Sequence, residues 1–218
     1  MVDITAQGIL FDMDGTLVNT IACVERGWTD LAAEHSVDAQ ALIRTVHGHP
    51  TYDVLCSWFP PHMHSRQCAQ AFEHKLMHDT RGVFAVPGAL RVLSMLDDSE
   101  WAIVTAATED LARVRMQQVG INVPERLVAD TSVKKGKPDP EGYEVGARLL
   151  GISPRDAVVF EDSVNGVVAG CAAGATVVGV LTSTSEDKLR DAGAKYVIKD
   201  FTQVQIAHAN GLVITLDV

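Results

Sequence analysis

The chain has 218 residues, of which 47% are hydrophobic, and its formal net charge at pH 7 is −10. This length suits one α/β core with a small inserted domain better than two full domains. The acidic charge argues against nucleic-acid binding, because a nucleic-acid-binding domain presents a basic face. No apolar run is long enough to span a membrane, so we expect no membrane partner.

The four cysteines are scattered without a Cys-x-x-Cys pair, and the N-terminus carries no basic-then-apolar signal. Cysteines in that pattern fit a reducing compartment. We therefore expect a cytoplasmic protein, and we expect it to be a monomer.

The first motif is an apolar strand, residues 8–11, that runs directly into Asp12, Asp14 and Gly15. In an extended chain, side chains two residues apart point the same way, so Asp12 and Asp14 project together from the end of the strand. Two like charges there repel each other unless a cation lies between them. The pair therefore predicts a divalent-metal site that would take Mg²⁺. The alternative is a solvated acidic turn, which Asp-Gly often forms.

Between Thr16 and Val86 the pattern predicts helices only. We expect four helices. The first runs from Asn19 or Thr20 to His35, the second starts at Asp38, the third runs from Thr51 to Phe59, and the fourth runs from Ser65 to His78. We therefore predict a core of residues 1–18 and 86–218 and a helical insert of residues 19–85. The two connections, near Asn19 and Ala85, would act as hinges.

The next predicted strand begins at Trp101 and ends in Thr105, and a helix with Glu109 and Asp110 in its first turn follows. The Thr105 hydroxyl and the backbone N–H groups at this junction are candidate phosphate donors, because helix N-termini favour anions. Alternatively, Thr105 is an ordinary strand residue and Thr108 an N-cap.

The segment from Lys134 to Pro140 is predicted to be a loop, with a helix from Glu141 to Leu150 after it. A lysine held before a proline, as Lys137 is, can reach a phosphate as a point charge. For Lys134 and Lys135 a solvated basic turn is the better interpretation.

The fourth motif follows a third strand, residues 157–160, where Glu161 and Asp162 stand at the start of a helix and capping alone is an alternative explanation. Strands that alternate with helices predict a parallel sheet, and ligands of such sheets bind beyond the carboxyl ends of the strands. All four motifs would meet at that edge. Together they offer acidic metal ligands, hydroxyl and backbone donors and a cation, which are the groups that phosphoryl transfer needs.

In this order, the four motifs resemble those of phosphatases in the haloacid dehalogenase superfamily. The resemblance runs from about residue 7 to about residue 200. It implies a doubly wound, Rossmann-like α/β core of parallel strands with an inserted all-helical cap. Within the superfamily, residues 101–174 are most similar to small-sugar and sugar-alcohol phosphate phosphatases, including the 2-deoxyglucose-6-phosphate and glycerol-phosphate enzymes.

The resemblance also implies roles for individual residues. Asp12 would attack phosphorus and become an aspartyl phosphate, and Asp14 would be the general acid and base. Mg²⁺ would be held by the Asp12 carboxylate, the Asp14 backbone carbonyl and Asp162, with Glu161 supporting it directly or through water. The phosphate oxygens would be held by Thr105, the Ala106 N–H group and Lys137.

The helical insert resembles the cap that this family inserts just after its first motif, which implies that the insert selects the substrate. The loop from Val46 falls where related sugar phosphatases have a substrate-facing loop, and it supplies His47, His49 and Thr51 as specificity candidates. Glu25 and Trp28 are further candidates, and the alternative for all five is packing within the cap or a place on its surface. The expected substrate is thus a small sugar or polyol monophosphate.

Two other functions stay open. A phosphomutase of the β-phosphoglucomutase type shares all four motifs, although Thr16 fits the phosphatases better. A non-catalytic protein that senses a phosphometabolite would be expected to have lost a nucleophile or a metal ligand. At the C-terminus, Asn210 and Gly211 between alternating segments predict a two-stranded hairpin appended to the sheet.

Overall fold

The computed structural model describes residues 1–209 and 211–218. Within these ranges the strands are β1 Val2–Ala6, β2 Gly8–Phe11, β3 Val18–Asn19, β4 Phe84–Ala85, β5 Trp101–Val104, β6 Leu127–Val128, β7 Ala157–Glu161, β8 Thr176–Val180, β9 Tyr196–Ile198, β10 Val204–Ala209 and β11 Gly211–Leu216. The α-helices are α1 Ile21–His35, α2 Ala39–Val46, α3 Thr51–Trp58, α4 Arg66–Met77, α5 Ala89–Leu93, α6 Glu109–Gln118, α7 Glu141–Leu150, α8 Val164–Ala173 and α9 Glu186–Asp191. In the described ranges, none of these helices has the length and apolar character that crossing a membrane requires.

Six strands form one parallel sheet in the order β6-β5-β2-β7-β8-β9. Strand β2 lies near the centre, between β5 and β7, and all of its residues are buried. Strands of a parallel sheet are covered on both faces, which explains why β2 is apolar throughout instead of alternating.

Successive residues of a strand pack into different hydrophobic clusters, one on each face of the sheet. Ile9 and Phe11 pack on one face of β2, whereas Leu10 packs on the other. Buried residues of α5 and α6 belong to the first cluster, and buried residues of α7 and α8 belong to the second. Helices therefore cover both faces, and the predicted doubly wound α/β core is confirmed.

Helices α1 to α4 follow one another between β3 and β4, where four helices were expected. Two of the predicted starts are capped by side chains. Asp38 accepts hydrogen bonds from the N–H groups of Gln40 and Ala41, and Ser65 accepts one from Cys68. These bonds satisfy N–H groups that a helix leaves unpaired at its first turn.

The expectation of helices alone between Thr16 and Val86 missed one feature. Strands β3 and β4 pair with each other in antiparallel register, with Val18 opposite Ala85 and Asn19 opposite Phe84. Both are two residues long, too short for a periodicity to show in the sequence. The two connections of the helical insert therefore lie side by side.

The predicted C-terminal hairpin is present, since β10 and β11 pair antiparallel, although Asn210 of its turn lies outside the described residues. The expectation that it extends the main sheet was wrong. β11 also pairs with the N-terminal strand β1, which gives a separate three-stranded sheet in the order β1-β11-β10. Ile214 and Leu216 of β11 are fully buried in the first hydrophobic cluster, so this sheet packs against the core through one face.

Candidate active site

The four predicted motifs meet at one edge of the parallel sheet. Asp12 follows β2, Thr105 follows the neighbouring strand β5, and Glu161 and Asp162 lie at the end of β7 on the other side. Lys137 reaches the same place from the loop before α7. The connections of a parallel sheet bring these strand ends together although the residues are far apart in the sequence.

Lys137 is buried and binds three oxygen atoms. Its Nζ donates to Asp12 Oδ1 at 2.6 Å, to Glu161 Oε1 at 2.6 Å and to the carbonyl of Val104 at 3.0 Å. Burial by itself lowers the pKa of Lys137, but the carboxylates of Asp12 and Glu161 outweigh that effect and raise it above its usual value. The ammonium group is therefore charged and fixed beside Asp12.

Glu161 is fully buried, and both of its carboxylate oxygens accept hydrogen bonds. Oε1 accepts from Lys137 and from the Tyr143 hydroxyl at 2.8 Å. Oε2 accepts from the N–H groups of Asp162 and Ser163 and from the Ser163 hydroxyl. A Cβ atom at Gly166 would lie 1.7 Å from Glu161 Oε1, so only glycine leaves room for this carboxylate.

Asp12 and Asp162 have fewer partners. Asp12 Oδ2 is buried and has no hydrogen-bond partner within residues 1–209 and 211–218. The Asp162 carboxylate accepts only long hydrogen bonds from the hydroxyls of Thr16 and Thr182 among the residues that the structure describes, each at 3.5 Å. A buried oxygen without a donor is unusual, because most buried polar atoms have a partner.

The carboxylates of Asp12, Glu161 and Asp162 offer oxygen atoms within 4.8 Å of one another. Burial first, and then the charge of Glu161, raise the pKa of Asp12 to about 7. Burial, and then Asp12 and Glu161, raise the pKa of Asp162 well above its usual range. Asp12 and Glu161 bind the ammonium of Lys137, and the carboxylate of Asp162 lies beside them. Three buried carboxylates near one ammonium fit a divalent cation, which prefers oxygen ligands.

Asp14 lies two residues after Asp12 and lines the same pocket. Its Oδ1 accepts a hydrogen bond from the Thr20 hydroxyl at 2.7 Å. Burial raises the pKa of Asp14, and the bond from Thr20 opposes that rise. A raised pKa makes a carboxyl group hold a proton more readily, as a residue that donates a proton in a reaction must.

Thr105 and Ala106 line the same pocket, as the sequence predicts for phosphate donors. Thr105 Oγ1 accepts a hydrogen bond from the Ala107 N–H group at 3.1 Å, which leaves its own proton able to bind a ligand. Thr108 occupies the N-cap position of α6 as expected, but its side chain does not bond to its own helix.

The helical insert supplies the opposite wall of the pocket. That wall combines aliphatic side chains with polar and aromatic ones, and the polar and aromatic residues include Trp28, His47, His49, Thr51, Phe72 and Glu73. His47 Nε2 lies 3.3 Å from Glu25 Oε1, and His49 Nε2 lies 2.9 Å from Asn165 Nδ2 of the core. Glu25 itself is not among the residues that line this pocket. The three residues predicted from the loop after α2 thus all face Asp12 and Asp14.

Sequence reasoning missed Glu73, Arg115 and Tyr143. Arg115 is 1% exposed and donates to the carbonyls of Leu76 at 2.7 Å and Asp79 at 2.9 Å. It joins α6 to the end of α4. The only signal in the sequence is a charged or polar residue at a position that a helix turns inward, and that signal is weak on its own.

The haloacid dehalogenase-like hydrolase family matches residues 9–180. The chain is 36% identical to hexitol phosphatase A from Escherichia coli over 85% of this chain and 88% of that protein. It is 37% identical to 2-deoxyglucose-6-phosphate phosphatase 1 from Saccharomyces cerevisiae over 100% of this chain and 98% of that protein.

The fold has solved counterparts as well. The crystal structure of a hydrolase from Pseudomonas syringae superposes with a TM-score of 0.75 at 23% identity, over 89% of this chain and 93% of that one. The family match spans the strand ends that carry Asp12, Thr105, Lys137 and Glu161, and the related sequences extend through the helical insert. This chain therefore belongs to the haloacid dehalogenase-like hydrolases and is a phosphoric monoester hydrolase.

Proposed function

We propose that the protein hydrolyses monophosphates of small sugars or sugar alcohols, with Mg²⁺ and through an aspartyl phosphate on Asp12. One observation supports this above the others. Asp12 is buried at the end of the central strand, with one oxygen held by Lys137 and the other without a donor among the described residues. The names of the related hexitol and 2-deoxyglucose-6-phosphate phosphatases support the substrate class.

For the metal, we propose that Mg²⁺ is held by the carboxylates of Asp12 and Asp162 and the backbone carbonyl of Asp14. Glu161 is already bonded to five donors, so its part is to orient Lys137 and the residues after β7, with any contact to the metal through water. When bound, Mg²⁺ would neutralise negative charge on the phosphate and on the carboxylates.

In the first step the Asp12 carboxylate would attack phosphorus, and the bond from phosphorus to the sugar oxygen would break. The electron pair of that bond goes to the sugar oxygen, which takes a proton from Asp14. The ammonium of Lys137 offsets the repulsion between carboxylate and phosphate, which at ~4 Å and an effective dielectric of ~20 is about 4 kcal/mol per charge pair.

In the second step water would attack the aspartyl phosphate, with Asp14 now accepting a proton, and inorganic phosphate and the free Asp12 carboxylate result. Thr105, the Ala106 N–H group and Lys137 would hold the phosphate oxygens in both steps. His47, His49 and Thr51 would contact the sugar part. We also propose a cytoplasmic monomer, since the four cysteines are free thiols and a reducing compartment suits them.

The test is phosphate release from a panel of hexose, deoxyhexose, pentose and polyol monophosphates, with and without Mg²⁺, and with Asp12→Asn as the blank. Release that needs both Mg²⁺ and Asp12 is the expected result. Isomerised sugar phosphate in place of free phosphate would indicate the mutase instead. Binding of a sugar phosphate without any turnover would indicate the sensor.

A further inference from the structure

Glu73 is a carboxylate that the steps above do not use. It lies on α4 of the helical insert, is 2% exposed, and lines the same pocket as Asp12 and Asp14. Burial raises the pKa of Glu73, and its hydrogen bonds with Thr108 and Thr51 oppose that rise. Within the described ranges, no lysine, arginine or histidine lies within ion-pair distance of it.

Three donors bind the Glu73 carboxylate. Oε1 accepts from the Thr51 hydroxyl at 2.6 Å. Oε2 accepts from the Thr108 N–H group at 3.3 Å and from the Thr108 hydroxyl. Thr51 belongs to the helical insert, whereas Thr108 stands at the start of α6 in the core. The carboxylate thus joins the helical insert to the start of α6 in the core, and of the two threonines it is Thr51 that lines the pocket with Glu73.

The positions of the threonine hydroxyl protons determine which ligands the Glu73 site can bind. Both threonine hydroxyls donate their protons to Glu73. A ligand in the pocket can therefore meet the lone pairs of the Thr51 hydroxyl and the remaining acceptor capacity of the Glu73 carboxylate. Such a surface offers hydrogen-bond acceptors only. A sugar hydroxyl, which is a donor, fits it, whereas a carboxylate or second phosphate has no proton to donate and is repelled.

We infer that Glu73, held in place by Thr108 and acting with Thr51, accepts a hydrogen bond from a hydroxyl of the substrate and thereby selects neutral, polyhydroxylated leaving groups over anionic ones. This inference rests on the proposed function, since it concerns the leaving-group end of the same pocket. Among the residues of α4, we thus assign the contact with the substrate to Glu73. Because Thr108 is the N-cap residue of α6, it holds Glu73 where the helical insert meets the core.

A purely structural role for Glu73 is the competing explanation. Its charge lies at the N-terminus of α6, where negative charge stabilises a helix. That role predicts one effect of a substitution on every substrate, because the helix is the same whichever substrate is bound. The proposed role predicts an effect that depends on the hydroxyl groups and charge of the leaving group.

The experiment compares wild type and Glu73→Gln on three substrates: a hexitol monophosphate, phosphoglycolate and p-nitrophenyl phosphate, which has no hydroxyl to donate. Losing a hydrogen bond to a charged acceptor corresponds to about a 10- to 100-fold loss. We expect kcat/KM to fall by that factor for the hexitol phosphate and to change less than about threefold for p-nitrophenyl phosphate. For phosphoglycolate we expect a rise, since the amide can donate and the repelling charge is gone.

Glu34→Gln, on the exposed side of α1, is the matched control and should leave all three values unchanged. Thr51→Val provides a second variant if Glu73→Gln does not fold, and its expected selectivity change has the same direction. An equal loss on all three substrates would overturn the inference and leave the proposed function intact. A wild type that releases phosphate from no substrate would overturn both.

Discussion

At the level of single residues, the site depends on the Lys137 ammonium, which binds the carboxylates of Asp12 and Glu161 together. Asp12 and Glu161 both bind it at 2.6 Å, so any change at Lys137 leaves two buried carboxylates facing each other. Breaking a buried ion pair on one side leaves the other charge uncompensated, which is more damaging than losing the attraction alone.

We therefore expect Lys137→Met to lower kcat/KM by about 10²- to 10³-fold, the range found when a group that stabilises transition-state charge is removed. Steady-state phosphate release measures this. Lys135→Met is the matched control, since that side chain is 74% exposed and its contact, to Asp139, is 3.7 Å long. Equal activities of the two variants would contradict the role given to Lys137.

Tyr143 allows a second test of the same network. Its hydroxyl donates to Glu161 Oε1 at 2.8 Å, and its ring is fully buried. Tyr143→Phe keeps the ring and removes that donor, so we expect a loss of about 1–2 kcal/mol in the free energy of unfolding. Urea unfolding measures it, with Tyr196→Phe on the edge strand β9 as the control. A loss no larger than that of the control would contradict the contribution of this hydrogen bond.

These residues show what the sequence could reveal at this scale. Asp12, Thr105 and Asp162 each follow an apolar strand, so one local pattern predicts all three. Tyr143 and Glu73 carry no such pattern. Tyr143 lies 18 positions from its partner Glu161, and Glu73 lies 35 positions from Thr108. Their positions depend on how helices pack, which a local periodicity does not determine.

At the level of elements, hydrogen bonds to Asp79, which follows α4, attach the helical insert to α6 of the core. Its carboxylate accepts hydrogen bonds from Arg26 of α1 and from Arg81, and its carbonyl accepts one from Arg115 of α6. Side-chain bonds from Arg81, followed by those from Arg26, hold the pKa of Asp79 well below its usual range. One residue thus connects three elements.

A carboxylate with a lowered pKa in the folded state adds stability at pH values above its unfolded pKa, about 3.9, and that stability is lost as the pH falls below it. For a partly exposed group we expect Asp79→Asn to lower the Tm by about 2–4 °C at pH 7, which corresponds to about 1 kcal/mol. Thermal melts between pH 7 and pH 3 should show the difference from wild type shrinking toward acid pH. A difference that is constant with pH would refute the role of the charge.

The elements themselves were largely predictable, because strands that end in polar residues and helices that begin at Asp38 and Ser65 leave clear local signals. The pairing of β3 with β4 and of β1 with β11 was not. Both pairings join segments that are far apart in the sequence, and the second joins the two ends of the chain. Register between distant strands depends on tertiary packing, so each strand alone does not reveal its partner.

At the level of the whole molecule, the net charge of −10 means that the overall field repels a phosphate. Attraction must come from the site itself, where Lys137 is buried among the carboxylates of Asp12, Glu161 and Asp162. Without a cation these charges oppose folding, because each is removed from water and faces the others. The proposed metal binding would therefore be coupled to folding through this cluster.

The coupling predicts opposite effects of Asp162→Asn under two conditions. In the absence of metal the variant removes one of the repelling charges, so its Tm should be higher than that of wild type. With Mg²⁺ present, wild type should gain up to about 2.7 kcal/mol at 100 times the Kd, a gain that the variant should largely lose. Thermal melts in EDTA and in Mg²⁺ measure both effects, with Asp191→Asn at the exposed end of α9 as the control. If Asp162→Asn kept the full Mg²⁺ gain, Asp162 would not be a metal ligand, and the ion would have to bind elsewhere in the molecule.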